Sequence, residues 1–319
     1  MRTGAAAGHR GYFHEAVCYG SDEDLLAVVL PFLLGGVAAG EPTVVSFGER
    51  NAALVRSALP ADSGVEFLTG GAVYARPTGA IRSYRRMLAD HVANGARQVR
   101  IIGELPPDAL GATWDWWARY ESAINHAYDE FPLWSMCAYD TRTTPSTVLM
   151  DVERTHPRFA RPDGSHVPSH LYTEPVTYLA EDRPMLPDPL QATAPLIELT
   201  DPSPGAARSA VYAAHHGQLT PDDLDDLVIA VSEVVTNALR HGRPPVVLRL
   251  WSAADRVVVA VEDGGAGPKD PFAGLLPANN GSGGLGLWIT HQSCNHVTTQ
   301  RGPDGFTIRL TAGDPYFGS

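Results

Sequence analysis

Ten of the chain's 26 prolines fall between His156 and Gly205, at positions 157, 162, 168, 175, 184, 187, 189, 195, 202 and 204. Proline has no amide hydrogen to donate, and its ring clashes inside a helix, so this stretch cannot hold a long regular helix. It divides the 319 residues into two parts of ordinary domain size. The expectation is a first domain over 1–157, a proline-rich linker over 158–194 and a second domain over 195–319, opened by a strand at Leu196–Leu199.

From Glu15 to about Arg154, short β-branched or aromatic runs alternate with helix-length stretches. The pattern predicts strands at Ala16–Tyr19, Thr43–Phe47, Val65–Leu68, Gln98–Ile102 and Leu133–Tyr139. Helices are predicted between them at Ser21–Ala39, Asn51–Leu59, Thr78–Asn94 and Trp114–Tyr128, with Ser21 as the first N-cap. Near-continuous apolar strands alternating with helices imply an α/β domain with an open, mostly parallel sheet. The second part predicts helices at Ser203–Gly217, Pro221–Leu239 and Leu285–Gln292, and strands at Val246–Trp251, Arg256–Glu262, His296–Arg301 and Gly305–Thr311. Grouped helices and hairpin-linked strands read as an α+β two-layer sandwich.

A net charge of −12 gives no long-range attraction to phosphate backbones or anionic lipid, which argues against nucleic-acid and membrane-surface roles. With 44% hydrophobic residues the chain can bury full cores. The longest apolar run, Leu25–Ala39, is 15 residues and contains Pro31, Gly35 and Gly36, short of the roughly 20 needed to span a bilayer. Cys18, Cys137 and Cys294 are too few and scattered for a disulfide framework or a zinc cage, and they fit a reducing compartment. A cytoplasmic protein is expected.

Three patterns in the second part carry chemistry. Along the Pro221 helix, Leu224, Leu227, Val228, Val231, Val234, Val235 and Ala238 form an apolar stripe. With Val231 at 0° and about 100° per residue, Glu233 falls near 200° and Asn237 near 240°, an i, i+4 pair away from the sheet that His241 continues. The strand Val257–Val261 then runs into Asp263-x-Gly265-x-Gly267, a carboxylate at the end of a buried strand followed by glycines that let a ligand base come close. Gly281, Gly283, Gly284, Leu285 and Gly286 follow, leading into a helix whose N-terminal amides can cradle phosphate. Gly281, Gly283 and Gly286 also match the dinucleotide spacing, but no strand precedes them, and no Walker loop is present.

With Glu233-x-x-x-Asn237, Asp263-x-Gly265-x-Gly267 and Gly284-x-Gly286 in this order, the second domain resembles the GHKL (Bergerat-fold) ATPases, which include histidine kinases and gyrase B. The phrases SEVVTNALRHG, GLGLWITHQSCNHV and GFTIRL look most like the Rsb-type anti-sigma factor serine kinases. The resemblance implies ATP and Mg²⁺ as cofactors, Asn237 as the Mg²⁺ ligand, Asp263 as acceptor of the adenine amino group and 281–286 as the lid. It also implies Glu233 as general base, with Arg240 and His241 near phosphate. A histidine kinase would present its phosphoacceptor on a long helical hairpin where this chain has its proline-rich seam.

The first domain resembles the MEDS sensory domain, thought to be a degenerate RecA/KaiC-like fold, through FHEAVCYGSDEDLLAVVLPFLLGGVAAGEPTVV, RIIGELP, YESAIN, CAYD and THP. Both resemblances together point to the RsbA family of anti-sigma regulatory proteins. Glu104 and Asp140 follow predicted strands, where open α/β sheets place ligand crevices, and His14, Glu121 and Asn125 are placed to converge with them. Their bland reading is turn capping. His14 and Cys18 offer metal-ligand atoms, but no further ligands follow at zinc spacing.

The reading is a signal-responsive regulator whose ATPase domain phosphorylates Ser or Thr of an anti-anti-sigma (STAS) partner, sequesters a sigma factor, or both. An unknown small ligand or protein would act at the sensory domain. The resemblance also allows a homodimer, although no heptad pattern enforces one. The rival is a non-catalytic, nucleotide-dependent module that captures its partner stoichiometrically, which would have no need of a base at Glu233.

Overall fold

The computed structural model describes residues 1–68, 76–277 and 285–316. The chain divides into two compact units. The first holds Met1–Ala75, Gly79–Leu110 and Trp117–Tyr178, and the second holds Arg76–Thr78, Gly111–Trp116 and Leu179–Ser319. Among the described residues, no helix is long and apolar enough to cross a membrane.

The first unit is built on strands β1 (Phe13–Tyr19), β2 (Thr43–Ser46), β3 (Glu66–Phe67), β4 (Val99–Gly103), β5 (Leu133–Asp140), β6 (Arg158–Ala160) and β7 (His166–Pro168), ordered β3-β2-β4-β5-β1-β6-β7. All pairings are parallel except β6 with β7. Helices α1 (Asp22–Ala38), α2 (Glu49–Ala58), α3 (Pro77–Ala93), α4 (Trp114–Ala127) and α5 (Ser146–Thr155) alternate with the strands. The Ser21 hydroxyl accepts from Asp24 N, the expected cap of α1. Leu25, Val29, Phe32 and Leu33 of α1 pack with Val17, Val45, Ile102 and Met136 of the strands. Trp117 and Trp134 are buried in this unit.

In the second unit, strands β8 (Ile197–Thr200), β9 (Val247–Ser252), β10 (Arg256–Asp263), β11 (His296–Gly302) and β12 (Gly305–Gly313) form an antiparallel sheet ordered β11-β12-β10-β9-β8. Helices α7 (Pro204–Ala214), α8 (Pro221–His241) and α9 (Leu285–Ser293) complete the unit. The stripe residues Leu227, Val231, Val234, Val235 and Ala238 share one core with Val257, Val259 and Val261 of β10. Alternation along a strand sends Val258 and Ala260 to the opposite face, where they meet Trp251 and Leu190.

The stretch expected to be a linker, 158–194, is mostly ordered against the two units. Its first part supplies β6 and β7 to the first sheet, and α6 (Pro175–Ala180) follows. Its last part straps the back of the second sheet. Trp251 Nε1 donates to Thr193 O at 3.0 Å, and Arg309 Nη1 donates to Leu186 O at 2.6 Å. Asp188 takes two bonds from the buried Arg256 guanidinium, at 3.1 and 3.0 Å. Proline forbids a long helix here, but it tolerates edge strands and extended straps.

Removing Asp188 strands a largely buried charge. Asp188→Ala is expected to cost about 2–3 kcal/mol, with Asp255 left as a partial partner of Arg256. Urea unfolding checks this, and Asp188→Leu combined with Arg256→Met should recover most of the loss.

Candidate functional site

Asp263 ends β10 on the same face as Val257, Val259 and Val261, because residues two apart share a face, so its carboxylate turns toward α8. It is 9% exposed. Gly265 N donates to Asp263 Oδ1 at 2.6 Å and Arg243 N donates to the same oxygen at 3.3 Å. No described residue hydrogen-bonds Oδ2. Close backbone approach holds this arrangement. A Cβ at Gly242 would overlap the Asp263 carboxylate and lie 2.6 Å from Ala238 O, and a Cβ at Gly265 would lie 2.6 Å from Asp263 Oδ1.

The carboxylate opens into a cleft of about 520 Å³. Its walls are Val234, Asn237, Ala238 and His241 of α8, Val261 and Asp263 of β10, Gly267–Asp270 of the following loop, and Leu287 of α9, with Phe306 and Ile308 of β12 alongside. Gly267 has φ +71°, and a Cβ there would collide with the Phe306 ring. The apolar walls suit a flat ring, and Asp263 gives them a hydrogen-bond acceptor.

Glu233 and Asn237 lie together on the flank of α8 that meets α9. A Cβ at Gly286 would stand 2.6 Å from Glu233 Oε2 and 3.2 Å from Asn237 Nδ2. Both side chains are partly buried, and neither hydrogen-bonds a described residue. Their wheel angles point away from the sheet; α9 packs on α8 over that flank, and Asn237 lines the cleft whereas Glu233 stands just outside its lining. Arg240 is exposed and stands outside the cleft lining, whereas His241 is in it. Leu285 is exposed at the start of α9. Gly281, Gly283 and Gly284 lie outside the described residues. Lys269, Asp270, Ala273, Leu276 and Phe306 line the cleft without having been singled out in the sequence. The five-residue motif Asp263–Gly267 is the sequence signal that points to that loop.

In the first unit, the sensory candidates separate into two groups. Glu104 accepts from Gly48 N at 2.8 Å and from Asn51 Nδ2 at 2.6 Å, and Asp140 holds Arg142 through 2.8 and 2.6 Å bonds. Both lie at the C-terminal rim of the sheet, Glu104 bonded to the start of α2 and Asp140 to the following Arg142. His14, Glu121 and Asn125 do converge, but inside the domain, with Cys137 and His156, which the sequence had not singled out for this role. His14 Nδ1 pairs with Asn125 Oδ1 at 2.9 Å, and His14 Nε2 lies 3.4 Å from Cys137 Sγ and 3.7 Å from Glu121 Oε2. His156 Nε2 lies 3.5 Å from Glu121 Oε2. Burial pushes His14 down to about 3 and Glu121 up to about 7, and raises the Cys137 thiol, so each group is held toward its neutral form. Cys18 is not part of this group; it lines a separate surface hollow beside Glu153 and His170.

The second unit thus holds a helix-and-sheet cleft with a buried acceptor, glycine approach points and a Glu/Asn pair on the adjoining helix. Residues 201–312 match the family described as the histidine kinase-like ATPase domain. Residues 13–157 match MEDS, the methanogen/methylotroph DcmR sensory domain. The chain therefore joins a MEDS sensory domain to a histidine kinase-like ATPase domain. It is 31% identical over 113 residues to the signal transduction histidine-protein kinase AfsQ2 of Streptomyces coelicolor, a match covering 30% of this chain and 20% of that protein. The chain thus spans about a fifth of the curated relative's length. A crystal structure of the RsbU and RsbW domains of a Mycobacterium tuberculosis protein matches at 22% identity and a TM-score of 0.28, covering 38% of this chain and 32% of that one.

The close packing around Asp263 is testable without any ligand. Gly242→Ala is expected to destabilise the protein by about 1–3 kcal/mol, because backbone at Ala238 cannot give way. Gly264→Ala, whose Cβ would meet nothing nearer than Arg243 O at 3.4 Å, should unfold close to wild type in the same urea titration.

Proposed function

We propose that the second unit binds Mg·ATP and transfers its γ-phosphoryl group to a Ser or Thr of an anti-anti-sigma partner of STAS type. A sigma factor is the protein this regulator then sequesters or releases. The observation that carries the reading is that a buried acceptor, Asp263, and Asn237 line one cleft, with Glu233 one turn before Asn237 on α8 and neither Glu233 nor Asn237 bonded to a described residue. A pure binding module needs the first but has no use for a carboxylate at Glu233.

In this reading, Asp263 Oδ2 accepts the adenine amino hydrogen while the apolar walls take the ring. The residues present suit Mg²⁺, since an amide oxygen such as that of Asn237 is a hard ligand with no competing bond to a described residue. Mg²⁺ when bound supplies charge neutralisation on the phosphate oxygens. Glu233 accepts the proton of the attacking hydroxyl as its oxygen bonds to the γ-phosphorus. The bond from that phosphorus to the β,γ-bridging oxygen breaks, and ADP leaves. Partner phosphorylation is favoured over autophosphorylation because the segment 158–194 holds only one α-helix, the six-residue α6, and no helical hairpin to carry a phosphoacceptor. His156, moreover, is fully buried.

Incubation with γ-labelled ATP and a STAS partner tests this. Acid-stable label on the partner is expected. Acid-labile label on this chain would make it a histidine kinase, and nucleotide binding without transfer would make it a capture module. Asp263→Asn should weaken ATP binding about 100-fold. Glu233→Gln should retain binding and slow transfer about 10²–10⁴-fold, and Asn237→Ala should remove its Mg²⁺ dependence.

A further inference from the structure

The cluster inside the MEDS domain is built like a metal site. We infer that His14, Glu121, Cys137 and His156 bind one first-row divalent metal ion of zinc type, with His14 Nε2, His156 Nε2, Glu121 Oε2 and Cys137 Sγ as a tetrahedral ligand set. The four atoms lie within 4.8 Å of one another. Zinc bonds of about 2.0–2.3 Å imply ligand-to-ligand edges of about 3.3–3.8 Å in a tetrahedron. Four of the six edges are 3.4 Å for His14 to Cys137, 3.7 Å for His14 to Glu121, 3.5 Å for His156 to Glu121 and 3.6 Å for Cys137 to Glu121, and the two from His156 to His14 and Cys137 are within 4.8 Å.

The groups behind the ligands aim them inward. His14 Nδ1 pairs with Asn125 Oδ1, which accepts its hydrogen, and Asn125 is itself fixed because its Nδ2 donates to Thr155 O at 2.8 Å. His156 Nδ1 donates to Val152 O at 3.0 Å. Both rings are thereby set in the tautomer that leaves the Nε2 lone pair free, the outer arrangement usual for metal-bound histidines. Tyr139 donates to Glu121 Oε1 at 3.1 Å and leaves Oε2 to the centre.

A purely structural cluster does not account for His156 Nε2, which is buried and has no hydrogen-bond partner. An orphaned acceptor in a protein interior costs free energy, and a cation removes that cost. The ligand chemistry also chooses among ions. One thiolate and two imidazoles suit zinc, cobalt or iron(II) and disfavour Mg²⁺ and Ca²⁺, which prefer all-oxygen sets. Thiolate and carboxylate together balance a divalent charge.

The test uses the full chain, dialysed against a chelator and titrated with Co²⁺ alone. One equivalent of Co²⁺ should develop a thiolate-to-cobalt charge-transfer band in the near ultraviolet with tetrahedral d–d absorption, and Zn²⁺ should bleach both. Cys137→Ser should lose the charge-transfer band while Cys18→Ser keeps it. Glu121→Gln, which preserves side-chain volume, should keep the band and weaken Co²⁺ binding at least tenfold. Lack of a band in the wild-type chain at saturating Co²⁺ overturns the proposal, and that reading needs no variant to fold. A band that survives Cys137→Ser, or unchanged affinity in Glu121→Gln, overturns it as well.

Discussion

The nucleotide cleft rests on one constraint: a carboxylate placed at the buried end of a strand must be given donors, and those donors must come from backbone. Asp263 receives two, both on Oδ1, and this requires the chain to pass it at van der Waals distance on several sides. Gly242, Gly265 and Gly305 occupy those approaches; a Cβ at Gly305 would collide with Asp263 O. The glycines are therefore not general loop flexibility. They are conditions for the close passage that bonds one oxygen of a single carboxylate and leaves the other without a described partner.

Much of this was legible because each part is local. The parity of Val257, Val259 and Val261 fixes the side of the sheet on which Asp263 emerges, and the 3.6-residue stripe of α8 fixes which face packs on it. What the stripe could not give is the third neighbour. Glu233 and Asn237 look solvent-facing on a helical wheel, and only the seating of α9 covers their flank, with Asn237 reaching the cleft. The seam shows the complementary error. Counting prolines correctly excluded a long helix, but it says nothing about whether an extended chain will pack, and Asp188 does so by meeting the Arg256 guanidinium at the back of the sheet.

The cluster in the MEDS domain was barely legible, since its members stand at 14, 121, 137 and 156 with no short spacing between them. Parallel pairing of β1 with β5 supplies the missing step. Cys137 pairs with Ala16, which shares a face with His14, so the sheet itself brings His14 and Cys137 to one side. The same logic removes the pairing suggested by sequence proximity. Cys18 shares that parity with His14 but lies four residues along a strand, about 13 Å away at 3.3 Å per residue, too far for both to ligate one ion.

The usual expectation for an open α/β sheet places ligands just beyond the strand C-termini. Here that rim is closed by its own side chains: Glu104 is held by Asn51 and Gly48, and Asp140 by Arg142, which also reaches Asp22. Polar groups so satisfied have little free energy to gain from a ligand that must first displace their partners. The inner cluster is the reverse case, in which both imidazoles and the carboxylate are held from behind by the protein and turn their remaining ligand atoms toward one another and Cys137. A sheet whose rim is internally paired and whose interior holds convergent lone pairs has moved its recognition chemistry from the edge to the core. A compact ion can occupy that position, whereas an extended organic ligand would have to open the domain.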